Sequence, residues 1–327
     1  MKAVVQDEYG APEVLSLREI DPPVAGDDEL LIRVHAAGLD QGVWHVMAGM
    51  PYMVRLMGFG VRAPKTAVRG TEVAGVVEAA GRNVTRFAPG DEVFGVGDGT
   101  FAEYTCAREA KLAPKPANAT FEQAAAVPVS GATALQALRD TGRLRAGQRV
   151  LVIGAGGGVG SFAVQLAKAF RAQVTGVCSE AKADFVTSLG ADAVIDYTRD
   201  DFADSPERYD LIVDTAGNRS LADLRRALAA KGALAIVGGE WGNRWTGGFG
   251  RQILRAPALS LFVGQRLRPV MAQDRSSDLE LLRRYIEAGD VTPAVDRTYP
   301  LSEVPAAIRH LRSGDVRGKL VITLGDG

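Results

Sequence analysis

Residues 148–168 read Gln-Arg-Val-Leu-Val-Ile-Gly-Ala-Gly-Gly-Gly-Val-Gly-Ser-Phe-Ala-Val-Gln-Leu-Ala-Lys. The apolar run 150–153 suits a strand buried on both faces, as in a parallel sheet. Glycines crowd the positions that follow. Beyond them Val159, Phe162, Ala163, Leu166 and Phe170 fall at helical spacing, so the order is strand, bare turn, amphipathic helix. A pyrophosphate can lie against backbone N–H groups at a helix N-terminus only where no Cβ holds it off. Gly157, Gly158 and Gly160 are the expected contacts, in a turn that reads Ala155-x-Gly157-x-x-Gly160 with alanine where a first glycine is usual. By itself such a turn is equally an ordinary tight strand-to-helix connection.

The following residues repeat the unit. Apolar runs at 174–178, 193–195, 211–213, 233–237 and 259–263 alternate with helical stretches. Two of these are 182–189, stopped by Gly190, and 221–230, stopped by Lys231-Gly232. Six strands in that alternation predict an α/β, doubly wound parallel sheet of the Rossmann type.

A chain of 327 residues exceeds one ordinary core and points to two domains. Its 38 basic and 39 acidic residues nearly cancel, and no basic face calls for nucleic acid. No apolar stretch is long enough to span a bilayer, and charge follows the initial Met too soon for a signal peptide. Cys106 and Cys178 are isolated and fit neither a disulfide framework nor a zinc cluster. The expectation is a soluble, cytoplasmic protein.

The first third is different in kind. Strand-like runs at 2–5, 14–19, 29–36, 73–79 and 92–95 are broken by Asp21-Pro22-Pro23, Gly26-Asp27-Asp28, Gly81 and Pro89-Gly90. Pro114-Lys115-Pro116 marks a junction, after which the chain turns helical and alanine-rich. Near the end a helix is expected over 278–288 and a last strand over 319–324, returning to the β-rich part.

The segments Gly70-x-Glu72-x-Ala74-Gly75-x-Val77, Pro89-Gly90-Asp91-Glu92-Val93, Gly99-x-Phe101-Ala102-Glu103-Tyr104, the glycine turn, Leu189-Gly190-Ala191-Asp192 with Ile195-Asp196-Tyr197, and Gly318-Lys319-Leu320-Val321 resemble the medium-chain dehydrogenase/reductase superfamily. Within it the chain is similar to the quinone oxidoreductase, or zeta-crystallin-like, branch. The resemblance implies a GroES-like β-rich catalytic domain from residues 1–120 and 265–327, a nucleotide-binding domain over 121–264, and an active-site cleft between them. Zinc-dependent relatives carry cysteine, histidine and cysteine where this chain has Asp40, Thr71 and the Val127-Pro128 region. Two carboxylates, Asp40 and Glu72, without imidazole or thiolate make a poor tetrahedral zinc site. No metal is expected.

Without a Lewis acid, hydride transfer is easiest to a conjugated acceptor, whose charge spreads onto a distant oxygen. The expected substrate is therefore a quinone or an α,β-unsaturated carbonyl. The rival readings are a zinc-free alcohol or ketone reductase and a nucleotide-binding protein without turnover. Asp40 stands where the branch commonly has asparagine. Tyr52 stands near a substrate-side tyrosine of relatives, as a proton donor or as an aromatic packed on a loop. His45 reads as structural, and Trp241 and Trp245 belong to a glycine-rich loop that either covers the substrate or anchors itself.

For the cofactor, the resemblance points to Thr133 beside the nicotinamide ribose. Ala216, Gly217, Asn218, Gly238 and Gly239 follow strands at the carboxyl edge of the sheet, where open α/β sheets bind ligands. Glu180, about 20 residues past Gly160, would suit NADH. Ser179, read as the N-cap of the next helix, would place Lys182 in a first turn that disfavours a cation unless a phosphate sits there. NADPH-using relatives carry a lysine and a tyrosine at Lys182 and Tyr197. NADPH is the expected cofactor, with NADH possible, and a homodimer through the last sheet strand, sought at 259–263, is the expected assembly.

Overall fold

The computed structural model describes residues 1–238 and 244–325. In chain order the elements begin with β1 (Lys2–Gln6), β2 (Leu15–Glu19), β3 (Glu29–Leu39), α1 (Gln41–Ala48), β4 (Glu72–Ala80), β5 (Glu92–Val96), β6 (Tyr104–Arg108), β7 (Leu112–Pro114), α2 (Phe121–Ala125) and α3 (Pro128–Gln136). They continue with β8 (Arg149–Ile153), α4 (Gly158–Ala169), β9 (Gln173–Cys178), α5 (Ala183–Ser188), β10 (Ala193–Asp196), β11 (Tyr209–Asp214), α6 (Leu221–Ala227), β12 (Leu228–Ile236), α7 (Gly247–Ser260) and β13 (Arg266–Pro269). The last are α8 (Ser276–Glu287), β14 (Val295–Pro300), α9 (Val304–Ser313) and β15 (Lys319–Thr323).

Two compact units result. The first comprises Met1–Ala132, Asp274–Gly289 and Pro293–Gly327, the second Thr133–Gln273 and Asp290–Thr292. The first unit is built on a seven-stranded sheet in the order β14-β15-β3-β4-β5-β7, with β6 also on β3. β3 is long enough for β6 to pair along Glu29–Arg33 and β15 along Ala36–Leu39. The last strand thus returns to the β-rich part, and it brings with it a parallel neighbour, β14, that hydropathy did not single out. Leu30, Ile32, Leu39, Met47, Phe101 and Leu320 are among its wholly buried side chains.

The second unit is a six-stranded sheet in the order β10-β9-β8-β11-β12-β13, parallel at every pairing. Leu151, Ile212, Leu224, Leu234 and Leu267 are wholly buried in its core. This is the doubly wound α/β sheet that the alternation predicted, and it carries crossover helices because parallel neighbours need them.

Two expectations give way. The helix over 221–230 stops at Ala227, because Leu228 already pairs with Tyr209 of β11 and β12 runs on to Ile236. Sheet pairing overrides the helix preference of the alanines. The sixth strand is not 259–263: Leu259 and Ser260 end α7, and the strand is the more polar Arg266–Pro269, which keeps only Leu267 wholly buried. Ser260 joins the two, its Oγ donating to Gln265 O at 3.0 Å and accepting from Leu267 N at 3.2 Å. A short apolar run does not by itself distinguish a helix end from a strand.

Candidate cofactor and substrate sites

At the carboxyl end of β8 the chain turns through Gly154, whose φ is +79°, and enters α4 with Gly157 as N-cap and no side-chain cap. The first N–H groups of a helix have no acceptor within it, so those of Gly158, Val159 and Gly160 are donors for an anion. A Cβ on Gly160 would strike Gly154 O and come within 2.8 Å of Ala155 Cα. Only glycine lets α4 start this close to the strand. A Cβ on Gly157 would meet only Gly154 O at 3.4 Å, which leaves the space above it open. These residues fit a bound pyrophosphate.

The ends of β8, β11 and β12 are tied together beside that turn. Thr215 Oγ1 donates to Ile153 O at 2.8 Å, and Val237 N and Gly238 N donate to Asp214 O at 2.9 and 3.3 Å. The Asp214 carboxyl is fully buried. Its Oδ1 accepts from Gly217 N at 2.9 Å, in a residue with φ +65°, while Oδ2 has no hydrogen-bond partner. Burial pushes its pKa up to about 6, opposed by the N–H groups of Gly217 and Ala216 and by Arg219. Asp214 thus shapes the Ala216-Gly217-Asn218 turn, a role that no local pattern announces. Thr133 is buried in α3. Gly239 and Trp241 lie outside the described residues, and Trp245 is exposed.

Past β9, Ser179 has the extended backbone of an N-cap but makes no side-chain cap. A 3₁₀ turn, Glu180–Lys182, intervenes before α5, so Lys182 is the residue just ahead of that helix and not inside its first turn. Its stem lies on the glycine turn: a Cβ on Gly156 would meet Lys182 Cδ at 2.8 Å. Glu180 receives both bonds of Arg199 Nη2, each at 2.8 Å. Tyr197, largely exposed, follows β10, and its N–H donates to Cys178 O at 3.1 Å.

In the first unit β3 runs antiparallel to both β4 and β15, so its end lies beside their beginnings. Asp40, Glu72 and Lys319 therefore converge. Glu72 and Lys319 form a buried ion pair, and Glu72 Oε1 accepts from Val129 N at 2.8 Å. Burial raises the Glu72 pKa to about 7, opposed by Lys319 and reinforced by Asp40. Asp40 caps α1, Oδ1 accepting from Val43 N at 3.1 Å, while Oδ2 is buried without a partner. A carboxylate held by an ammonium and an N–H, beside a helix cap, does not fit zinc. Among the described residues no group of three or more His, Cys, Asp or Glu is placed to hold a metal ion. Lys319 was invisible as a partner because 247 residues separate it from Glu72.

Tyr52 sits on the loop after α1, its ring 5.0 Å from Arg55 Cζ. His45 Nδ1 lies 2.7 Å from Met50 O, a structural contact that pins the start of the same loop.

Family models match at both ends of the chain: an alcohol dehydrogenase GroES-like domain over residues 26–117 and a zinc-binding dehydrogenase over 189–322. The chain is 33% identical over 344 residues to the chloroplastic NADPH-dependent alkenal/one oxidoreductase of Arabidopsis thaliana, covering 98% of this chain and 79% of that one. It is 30% identical over 335 residues to the quinone oxidoreductase of Homo sapiens, covering 99% and 98%. The solved structure of an NAD-dependent alcohol dehydrogenase superposes with a TM-score of 0.85 at 31% identity, over 99% of this chain and all of that one. With its GroES-like segment, its parallel six-stranded sheet and relatives of this identity along nearly its whole length, the chain belongs to the quinone oxidoreductase branch of the medium-chain dehydrogenase/reductase superfamily.

Proposed function

We propose that the chain is an NADPH-dependent oxidoreductase that reduces a quinone or an α,β-unsaturated carbonyl without a metal. The observation that carries this reading is the open glycine turn at the start of α4 with the Lys182 stem laid across it. Bare N–H groups and the helix dipole suit the pyrophosphate, and Lys182 and Tyr197 would face the 2′-phosphate. Glu180, the acid that would select NADH, is engaged by Arg199. Thr133, Ala216 and Gly217 would seat the nicotinamide half.

When bound, NADPH supplies a hydride. The chain's part is to orient the acceptor, to exclude water and to offer a proton to the developing enolate. Tyr52 and Asp40 are the groups proposed for that proton, Asp40 because its buried Oδ2 lacks a partner. The proposed division of labour follows the resemblance in kind, with the unit built on the seven-stranded sheet on the substrate side and the unit that carries β8 to β13 on the nucleotide side.

Loss of NADPH absorbance with a para-quinone, an enone and a saturated ketone of similar size tests the reading. Turnover of the quinone or enone is expected; preference for the ketone would overturn it in favour of an alcohol or ketone reductase, the reading that the likeness to an alcohol dehydrogenase favours. Tight NADPH binding without oxidation by any of the three would instead make this a nucleotide-binding protein. The proposal extends to a cytoplasmic homodimer. Its supports are free Cys106 and Cys178, no helix among the described residues long and apolar enough to cross a membrane, and exposed Leu261 and Phe262 just ahead of the sheet-edge strand β13.

A further inference from the structure

The loop after α1 holds an arginine that its surroundings fix in place while leaving its outer nitrogens unused. Arg55 Cζ lies 4.5 Å from the centroid of the Tyr9 ring and 5.0 Å from that of Tyr52. Its Nε donates to Gly49 O at 2.9 Å. Gly49 has φ +60°, and a Cβ there would meet Arg55 Nε at 2.6 Å and the Tyr9 ring at 2.7 Å, so the backbone is bare where the guanidinium and the ring sit. Tyr9 Oη is shared between Phe59 O at 2.9 Å and Gly60 O at 2.6 Å, which holds the far end of the loop against the same ring.

Among the described residues Nη1 and Nη2 of Arg55 have no hydrogen-bond or ion-pair partner, unlike the carboxylate-paired Arg18, Arg82 or Arg309. On the same loop Leu56, Met57 and Val61 are 73%, 65% and 63% exposed. A fixed fork of donors and an uncovered apolar stretch beside it are complementary to one kind of small molecule, an amphiphile with an apolar chain and a carboxylate head.

We propose that Arg55, clamped between Tyr9 and Tyr52, recognises a carboxylate, so that the acceptor reduced by this protein is a conjugated carbonyl on an apolar chain ending in a carboxylate. The part that concerns the acceptor rests on the reductase reading; the anion site does not. The full chain, with and without NADP⁺, is titrated by calorimetry with octanoate and with octan-1-ol. Octanoate is expected to bind about tenfold more tightly than the alcohol, as a charge-assisted contact implies. Arg55→Met abolishes that difference and Arg55→Lys, which keeps the charge but not the fork, restores part of it. Equal affinity for the two ligands in the unaltered chain would overturn the proposal. So would equal weakening of both by Arg55→Met, the mark of an arginine that only anchors its loop.

Turnover then separates the two readings. With 7-oxooct-5-enoate and its methyl ester, a higher kcat/KM for the acid that vanishes in Arg55→Met supports both. Octanoate discrimination without reduction of either enone leaves the anion site standing and removes the reductase reading. Reduction of both enones at the same kcat/KM removes the carboxylate specificity alone.

Discussion

At the scale of single residues the cofactor end is governed by charges placed on bare backbone. Lys182 lies across the glycine turn, and in the proposed complex it would face the 2′-phosphate of NADPH. Lys182→Ala is expected to raise KM for NADPH about tenfold, the size of a lost charge-assisted contact, and to leave KM for NADH unchanged. Steady-state kinetics with both nucleotides reads the difference. Asp214 titrates in the opposite sense to most structural carboxylates. Its folded-state pKa of about 6 lies above the ordinary aspartate value of 3.8, so its stabilising contribution is complete below pH 3.8 and is lost as the pH rises through 6. A shift of that size corresponds to about 3 kcal/mol. Asp214→Asn keeps the shape and cannot ionise, so its stability relative to the unaltered chain should increase between pH 4 and 6.5. Urea titrations across that range give the curve, and a flat difference would refute the assignment.

At the scale of elements the first unit depends on three strand ends. β15 and β4 both begin beside the end of β3, and that geometry alone brings Lys319 to Glu72. The pair is nearly inaccessible, at 2% and 0% side-chain exposure, so removing one partner strands the other in a medium that does not solvate it. Glu72→Gln and Lys319→Met are each expected to cost about 3–5 kcal/mol, and the double variant less than their sum. Chemical denaturation of the four proteins measures the coupling. Glu72 was legible as one of two carboxylates unsuited to zinc, and Lys319 only as part of a motif. The helix at 278–288 was also legible, because Leu279, Leu282 and Ile286 repeat on its buried face. The sixth strand was not, since edge strand β13 alternates arginine with leucine and offers no continuous apolar run, and the apolar run at 259–263 stood in for it.

At the scale of the whole molecule the parallel sheet leaves β13 at an edge with one paired side. An open edge invites a second chain, and Leu261 and Phe262, 79% and 85% exposed, border it. If that edge forms the proposed homodimer, Phe262→Arg should shift the chain to a monomer in sedimentation at micromolar concentration. A monomer before substitution would remove the dimer from the proposal.

The alternation of apolar runs and helical stretches determined the class of fold, because a strand buried on both faces and a helix buried on one leave different periods in the sequence. The glycines after Ile153 determined where an anion can approach, because the absence of a side chain is itself a local property. What only the tertiary structure decided are the encounters between distant residues: Lys319 with Glu72, Arg55 with Tyr9, Lys182 with Gly156. Charge and ring contacts act over a few ångströms regardless of chain separation, so the meeting of these groups was set by strand order and loop closure and left no trace in local spacing.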